Sequence, residues 1–97
     1  MTDEKKAELL REYKIKNLQG RLKQVFNCIA RSREGGRTDE QIENECFLTH
    51  QSASARRREL VLMGLVRPVT RLDNGACIRR LNNTGHTAKV WRVVACE

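Results

Sequence analysis

The apolar pattern of this 97-residue chain changes period at Gly64, and that change limits the fold more than any other feature. Before Gly64, apolar side chains recur every three or four residues, the repeat of one helix face. After it come short apolar runs bounded by turn residues, the habit of strands. A chain divided in this way is α+β, with helices first and strands second. Its length, with 39% hydrophobic residues, suits one modest core and not two.

In the helical part, Ile15, Leu18, Leu22, Val25 and Ile29 keep the three-and-four spacing, and Phe26 and Ala30 widen the stripe. The spacing predicts one long helix, bent at Gly20 and ended by Gly35 and Gly36; an internal glycine costs about 1 kcal/mol relative to alanine without breaking a helix. Thr2, Asp3 and Glu4 have the character of a helix start. Leu9, Leu10 and Tyr13 form only a broken stripe, which leaves two readings of residues 1–20 open: a helical extension that pairs two copies into a homodimer, or a solvated tail. The main domain is then 21–97. Thr38-Asp39-Glu40-Gln41 is a capping box that opens a second, short helix with Ile42, Cys46 and Glu45 inward, closed by Phe47 and Leu48. Thr49 caps a third helix over 50–63 that buries Ala53, Leu60 and Val61 and stops at Gly64. Strands follow at 65–70, 76–81 and 88–95, separated by turns at Asp73-Asn74-Gly75 and Asn82-Asn83-Thr84-Gly85. Pro68 places the first of them at an edge or bulge.

Charge is unevenly distributed. Residues 1–48 carry 10 basic and 9 acidic side chains, whereas residues 49–97 carry 9 basic, eight of them arginine, and 3 acidic. The net charge of +7 therefore lies almost wholly in the second half. Arginine's planar fork of donors suits phosphate and guanine edges, so the asymmetry implies a nucleic-acid partner ahead of a merely solubilising surface. An aromatic content of 4% argues against single strands, whose bases need rings to stack on. Cys28, Cys46, Cys77 and Cys96 stand far apart with no C-x-x-C pair, which makes them free thiols rather than metal ligands. His50 and His86 sit among Thr, Ser, Asn and Gly, with no carboxylate near them in sequence to orient a nucleophile. No enzyme activity, cofactor, metal or small-molecule ligand is expected. There is no apolar run of about 18 residues, and the N-terminal MTDEKKAELLREYK lacks the apolar segment of a secretory signal, so a cytoplasmic protein without a membrane partner is expected.

Thr38-Asp39-Glu40-Gln41-Ile42, then Arg56-Arg57-Arg58-Glu59-Leu60-Val61, then Met63-Gly64-Leu65-Val66, and finally Ala88-Lys89-Val90-Trp91-Arg92-Val93-Val94 carry a likeness that spans about residues 21–95. In these segments the sequence resembles winged helix-turn-helix DNA-binding domains, most closely their small phage and prophage members. The resemblance implies three helices followed by a β-hairpin or three-stranded wing, and a double-stranded DNA partner. The third helix would enter the major groove, where base pairs present distinguishable patterns, and the basic wing, about 71–89, would follow the backbone or minor groove. On the recognition helix the likeness assigns Thr49, His50, Gln51, Ser52, Ser54, Ala55, Arg56 and Arg58 to DNA; Gln51 suits adenine, Arg58 suits guanine or phosphate. On the wing it assigns Arg79, Arg80, Asn82, Asn83, Thr84, His86 and Lys89. The implied role is a regulator of transcription or of another DNA transaction, at work in the host cytoplasm or nucleoid if phage-encoded.

Two positions depart from the family pattern. Phe47 stands where the turn often has glycine, and Glu45 stands where a small apolar residue is common. Arg57 meanwhile falls at an inward position between Ala53 and Leu60. An acid and a base buried on facing helices compensate each other where either alone costs several kcal/mol, so a Glu45–Arg57 ion pair is expected. A winged helix also serves as a protein-interaction module, for which Phe47, Leu9, Leu10 and Tyr13 would form the apolar patch. A basic RNA-binding or structural protein is a further alternative.

Overall fold

Residues 2–94 are described by a computed structural model, in which helices precede strands as the change of period at Gly64 requires. Helix α1 (Asp3–Lys16) starts at Thr2, whose hydroxyl accepts the Lys5 N–H, and places Asp3 and Glu4 at the positive end of its dipole. Helix α2 (Gly20–Arg31) buries Val25, Phe26, Cys28 and Ile29. Helix α3 (Asp39–Cys46) opens on a complete capping box: Thr38 Oγ1 accepts from the Gln41 N–H at 3.2 Å, and Gln41 Oε1 accepts from the Thr38 N–H at 3.0 Å. Helix α4 (His50–Leu62) is capped by Thr49, which accepts from the Ser52 N–H, and gives way to Gly64 at φ +77°.

The single helix expected from Ile15 onward is instead two, so the described residues hold four α-helices rather than three. α1 stops at Asn17, whose backbone and side-chain N–H groups both donate to the Tyr13 carbonyl. Gln19 is then extended and Gly20 takes φ +59°, which turns the chain into α2. The corner carries Leu18 into the core, where it is 4% exposed, with Ile15 and Leu22 packed against the same cluster. A three-and-four repeat is satisfied equally by one helix or by two that meet over one core, and glycine adopts the left-handed backbone that the corner needs at little cost. α1 is also tied to the end of α4, where Lys14 Nζ donates to the Met63 carbonyl at 3.0 Å.

The strands are short. β1 (Val66–Pro68) pairs antiparallel with β4 (Trp91–Val93), and β2 (Arg79–Leu81) with β3 (Thr87–Lys89). A bridge between Thr70 and Cys77 closes the turn around Asp73-Asn74-Gly75, and Gly85 at φ +86° lies in the second turn. The two turns stand where the sequence places them; Ala95, the end of the expected last strand, and Cys96, expected as a free thiol, lie outside the described residues. Trp91 has a second neighbour: it exchanges two backbone hydrogen bonds of 2.8 Å with Arg37, so β4 lies between Arg37 and β1. Because both polar groups of Trp91 point to Arg37, its pairing with Pro68 on the other side is a non-hydrogen-bonded one, and the missing Pro68 donor leaves no acceptor stranded. Val25, Ile29, Ile42, Leu60, Leu65 and Val66 are buried between the helices and this sheet. Among the described residues no helix is long and apolar enough to cross a membrane.

Candidate nucleic-acid interface

α3 and α4 are joined by Phe47, Leu48 and Thr49. Phe47 adopts a left-handed backbone (φ 56°, ψ 44°) that costs a side-chain-bearing residue about 1–2 kcal/mol, and its ring is 92% exposed. The conformation lets the Leu48 N–H reach the Glu43 carbonyl at 3.1 Å and close α3, while Ile42, Cys46, Ala53 and Leu60 stay in the core. With Ala53 and Leu60 fully buried, the opposite stripe of α4 is Gln51, Ala55, Arg58 and Leu62, spaced by four, three and four residues.

The eight residues assigned to the third helix divide into two groups. Thr49 is taken up by the cap, His50 Nδ1 lies 3.1 Å from Glu43 Oε2, Ser54 donates to Asp39 Oδ2 at 3.1 Å, and Arg56 pairs with Glu59 at 2.7 Å. Among the described residues, the side chains of Gln51, Ser52 and Arg58 make no hydrogen bond. Gln51 and Arg58 are exposed and lie beside the half-buried Ala55.

The expected Glu45–Arg57 ion pair does not form. Arg57 holds Asp39 through two hydrogen bonds, Nε to Oδ1 at 2.9 Å and Nη2 to Oδ2 at 2.7 Å, and its guanidinium lies 4.1 Å from the centre of the Trp91 ring. The inward position of Arg57 is as the spacing requires, but the acid that meets it stands at the start of α3 and not at its end. Glu45 instead sits at the rim, its side chain 39% exposed, where it accepts from Arg37 Nε at 3.0 and 3.1 Å and from the Cys28 thiol at 2.7 Å. Arg37 is held there by its backbone bridge to Trp91. Sequence reasoning missed Asp39 as a partner; the available signal was an acid at the first helical position after the Thr38 cap, which it read only as part of the capping box.

Burial opposes the Glu45 charge, yet the Cys28 thiol and the Arg37 guanidinium together hold this carboxyl below its usual range. Burial, then the Glu45 carboxylate and the adjacent Cys46, push the Cys28 thiol well above its ordinary value of about 9. The sign of the linkage follows: above pH 9 the unfolded chain releases the Cys28 proton while the folded chain keeps it, so stability is full below that pH and declines above it. The expected decline approaches about 1.4 kcal/mol per pH unit. Urea midpoints between about pH 8 and about pH 10.5 should fall more steeply for the wild type than for Cys28→Ala; parallel slopes would exclude Cys28 as the source.

The wing residues divide in the same manner. Arg80 is turned inward, donating to Gln41 Oε1 at 2.7 Å, to the Gly35 carbonyl at 2.8 Å and to the Gly36 carbonyl at 3.4 Å. It fastens the strands to the start of α3, a bond reinforced where the Asn83 N–H donates to Glu40 Oε1 at 3.2 Å. Arg79 braces the hairpin through Thr87, to Oγ1 and to the carbonyl, both at 3.0 Å. Asn82 donates its N–H to the His86 carbonyl and is half-buried, whereas Thr84, His86 and Lys89 are exposed. The structure thus leaves Arg58 and Lys89 exposed but turns Arg80, expected among the DNA-binding residues, to an internal use. No protein-family model, curated protein or solved structure matches the chain.

Proposed function

We propose that this chain is a winged helix-turn-helix protein that binds double-stranded DNA, with α4 in the major groove and residues 71–89 as the wing along the flanking backbone. The observation that carries this reading is the outward stripe of α4: Gln51, Ala55 and Arg58 face solvent together, in the half of the chain that holds the arginine excess. The element order supports it. A short turn joins α3 to α4, α4 leads directly into β1, and β4 returns between β1 and Arg37, so that the wing is the meander between β1 and β4, fastened to the start of α3 by Arg80 and Asn83. Gln51 then suits an adenine edge and Arg58 a guanine edge or a phosphate, and the role that fits is regulation of transcription or of another DNA transaction.

The test is fluorescence anisotropy with mixed-sequence duplex from about 50 to about 200 mM salt. With several phosphates neutralised, the log–log plot should have a slope of about −3 to −5, and Arg58→Ala should weaken binding by about tenfold or more. A flat salt response would overturn the electrostatic account, and absence of binding at low salt would overturn the reading itself. One observation favours a second reading: Phe47 is 92% exposed at the α3–α4 turn, an unusual place for a large apolar side chain. Docking on a protein partner is the function to take up if no duplex binds. A homodimer would use the exposed Leu9, Leu10 and Tyr13 of α1.

A further inference from the structure

Between α4 and the strands of the wing lies an open cavity of about 300 Å³, lined by Asp39, Arg57, Trp91, Arg79, Thr87 and Lys89 among others. Its volume is at the lower end of small-molecule sites, enough for a phosphate with its attached sugar. Three cations and one acid surround it. The acid is already committed, since Asp39 Oδ1 accepts from Arg57 Nε and Oδ2 accepts from both Arg57 Nη2 and Ser54 Oγ. The cations are not used up: among the described residues no hydrogen bond engages Lys89 Nζ, Arg79 Nη1 or Arg57 Nη1. Both guanidiniums are held in place from behind, Arg57 by Asp39 and the Trp91 ring, Arg79 by Thr87. Such preorganised donors around an excess of positive charge suit an oxyanion better than a neutral or cationic ligand.

We infer that this cavity is a discrete phosphate seat, in which Lys89 and Arg79 grip one phosphate group over the Arg57–Trp91 stack. The inference rests on the duplex-binding reading when the phosphate belongs to a DNA strand; the same chemistry would accept a free phosphate or phosphomonoester. Trp91 is the one tryptophan of the chain, so its indole N–H resonance reports on the cavity without ambiguity. The experiment follows the indole and the Arg57 and Arg79 Nε–H signals by NMR while inorganic phosphate, and separately a short mixed-sequence duplex, are added at constant low chloride.

Phosphate at millimolar concentration should shift these signals in the wild type and not in Lys89→Gln, and Lys89→Gln should reduce the salt slope of duplex binding by about 1. If phosphate leaves the signals unmoved, and duplex binds with a steep slope that Lys89→Gln does not alter, the seat is wrong while the duplex reading stands. If phosphate shifts them but no duplex binds, the seat stands as a site for a free phosphate and the duplex reading falls.

Discussion

Gly36→Ala should destabilise the fold by about 3–5 kcal/mol, a large part of what a domain of this size has. Gly36 sits at φ 71°, ψ 179°, a region essentially closed to residues with a side chain. A Cβ there would come within 2.6 Å of Val90 Cγ1, 2.7 Å of the Trp91 carbonyl oxygen and 3.1 Å of Val69 Cγ2. A flexible side chain could retreat, but the carbonyl cannot, because it accepts the Arg37 N–H that ties Arg37 to β4. The Gly35 and Gly36 carbonyls also accept from Arg80, so displacing this segment releases the wing as well. Urea unfolding measures the loss, and a change below about 1 kcal/mol would show that the backbone at Gly36 relaxes without consequence.

Asp39→Ala and Arg57→Met should each cost about 2–3 kcal/mol, because each strands a charge that its partner now compensates. The two side chains are each 18% exposed, so the ion pair is largely removed from water. Removing the acid leaves a guanidinium partly buried without a counter-charge and deprives Ser54 of its acceptor. Replacing the base with an apolar chain of similar volume keeps a contact with Trp91, but the stacking at 4.1 Å is lost and the Asp39 carboxylate is left with the Ser54 hydroxyl as its donor. The double variant should cost less than the two single losses added together, because neither charge is then left without its partner. A double-mutant cycle by chemical denaturation decides this; single losses that add without coupling would show that the pair contributes nothing specific.

The two results bear on function together. Gly36 and Asp39 act by positioning other groups: one seats the strand bridge and the wing, the other, at the wall of the cavity between α4 and the wing, holds Arg57 in place. A loss of duplex binding in either variant would therefore follow a loss of structure. The same loss in Arg58→Ala, which makes no hydrogen bond within the described molecule, would not.

Much was legible from residues in order. The Thr38 and Thr49 caps, the end of α4 at Gly64, the turns around Gly75 and Gly85, and the burial of Ile42, Ala53 and Leu60 are each set by chemistry within about one helical turn or one hairpin. The outward stripe of α4 follows from the same periodicity. What was not legible joins residues far apart in the chain. Whether the apolar run from Ile15 formed one helix or two depended on a corner that only the assembled core could favour. Arg57 chose Asp39, 18 positions away, and Arg80 chose Gln41 and the Gly35 carbonyl, 39 and 45 positions away. Composition and spacing could show that an inward arginine needs an acid and that a basic strand lies near a turn. They could not say which acid would face it, because Coulomb attraction and hydrogen bonding select partners by distance through space, and those distances exist only once the helices and the sheet have packed.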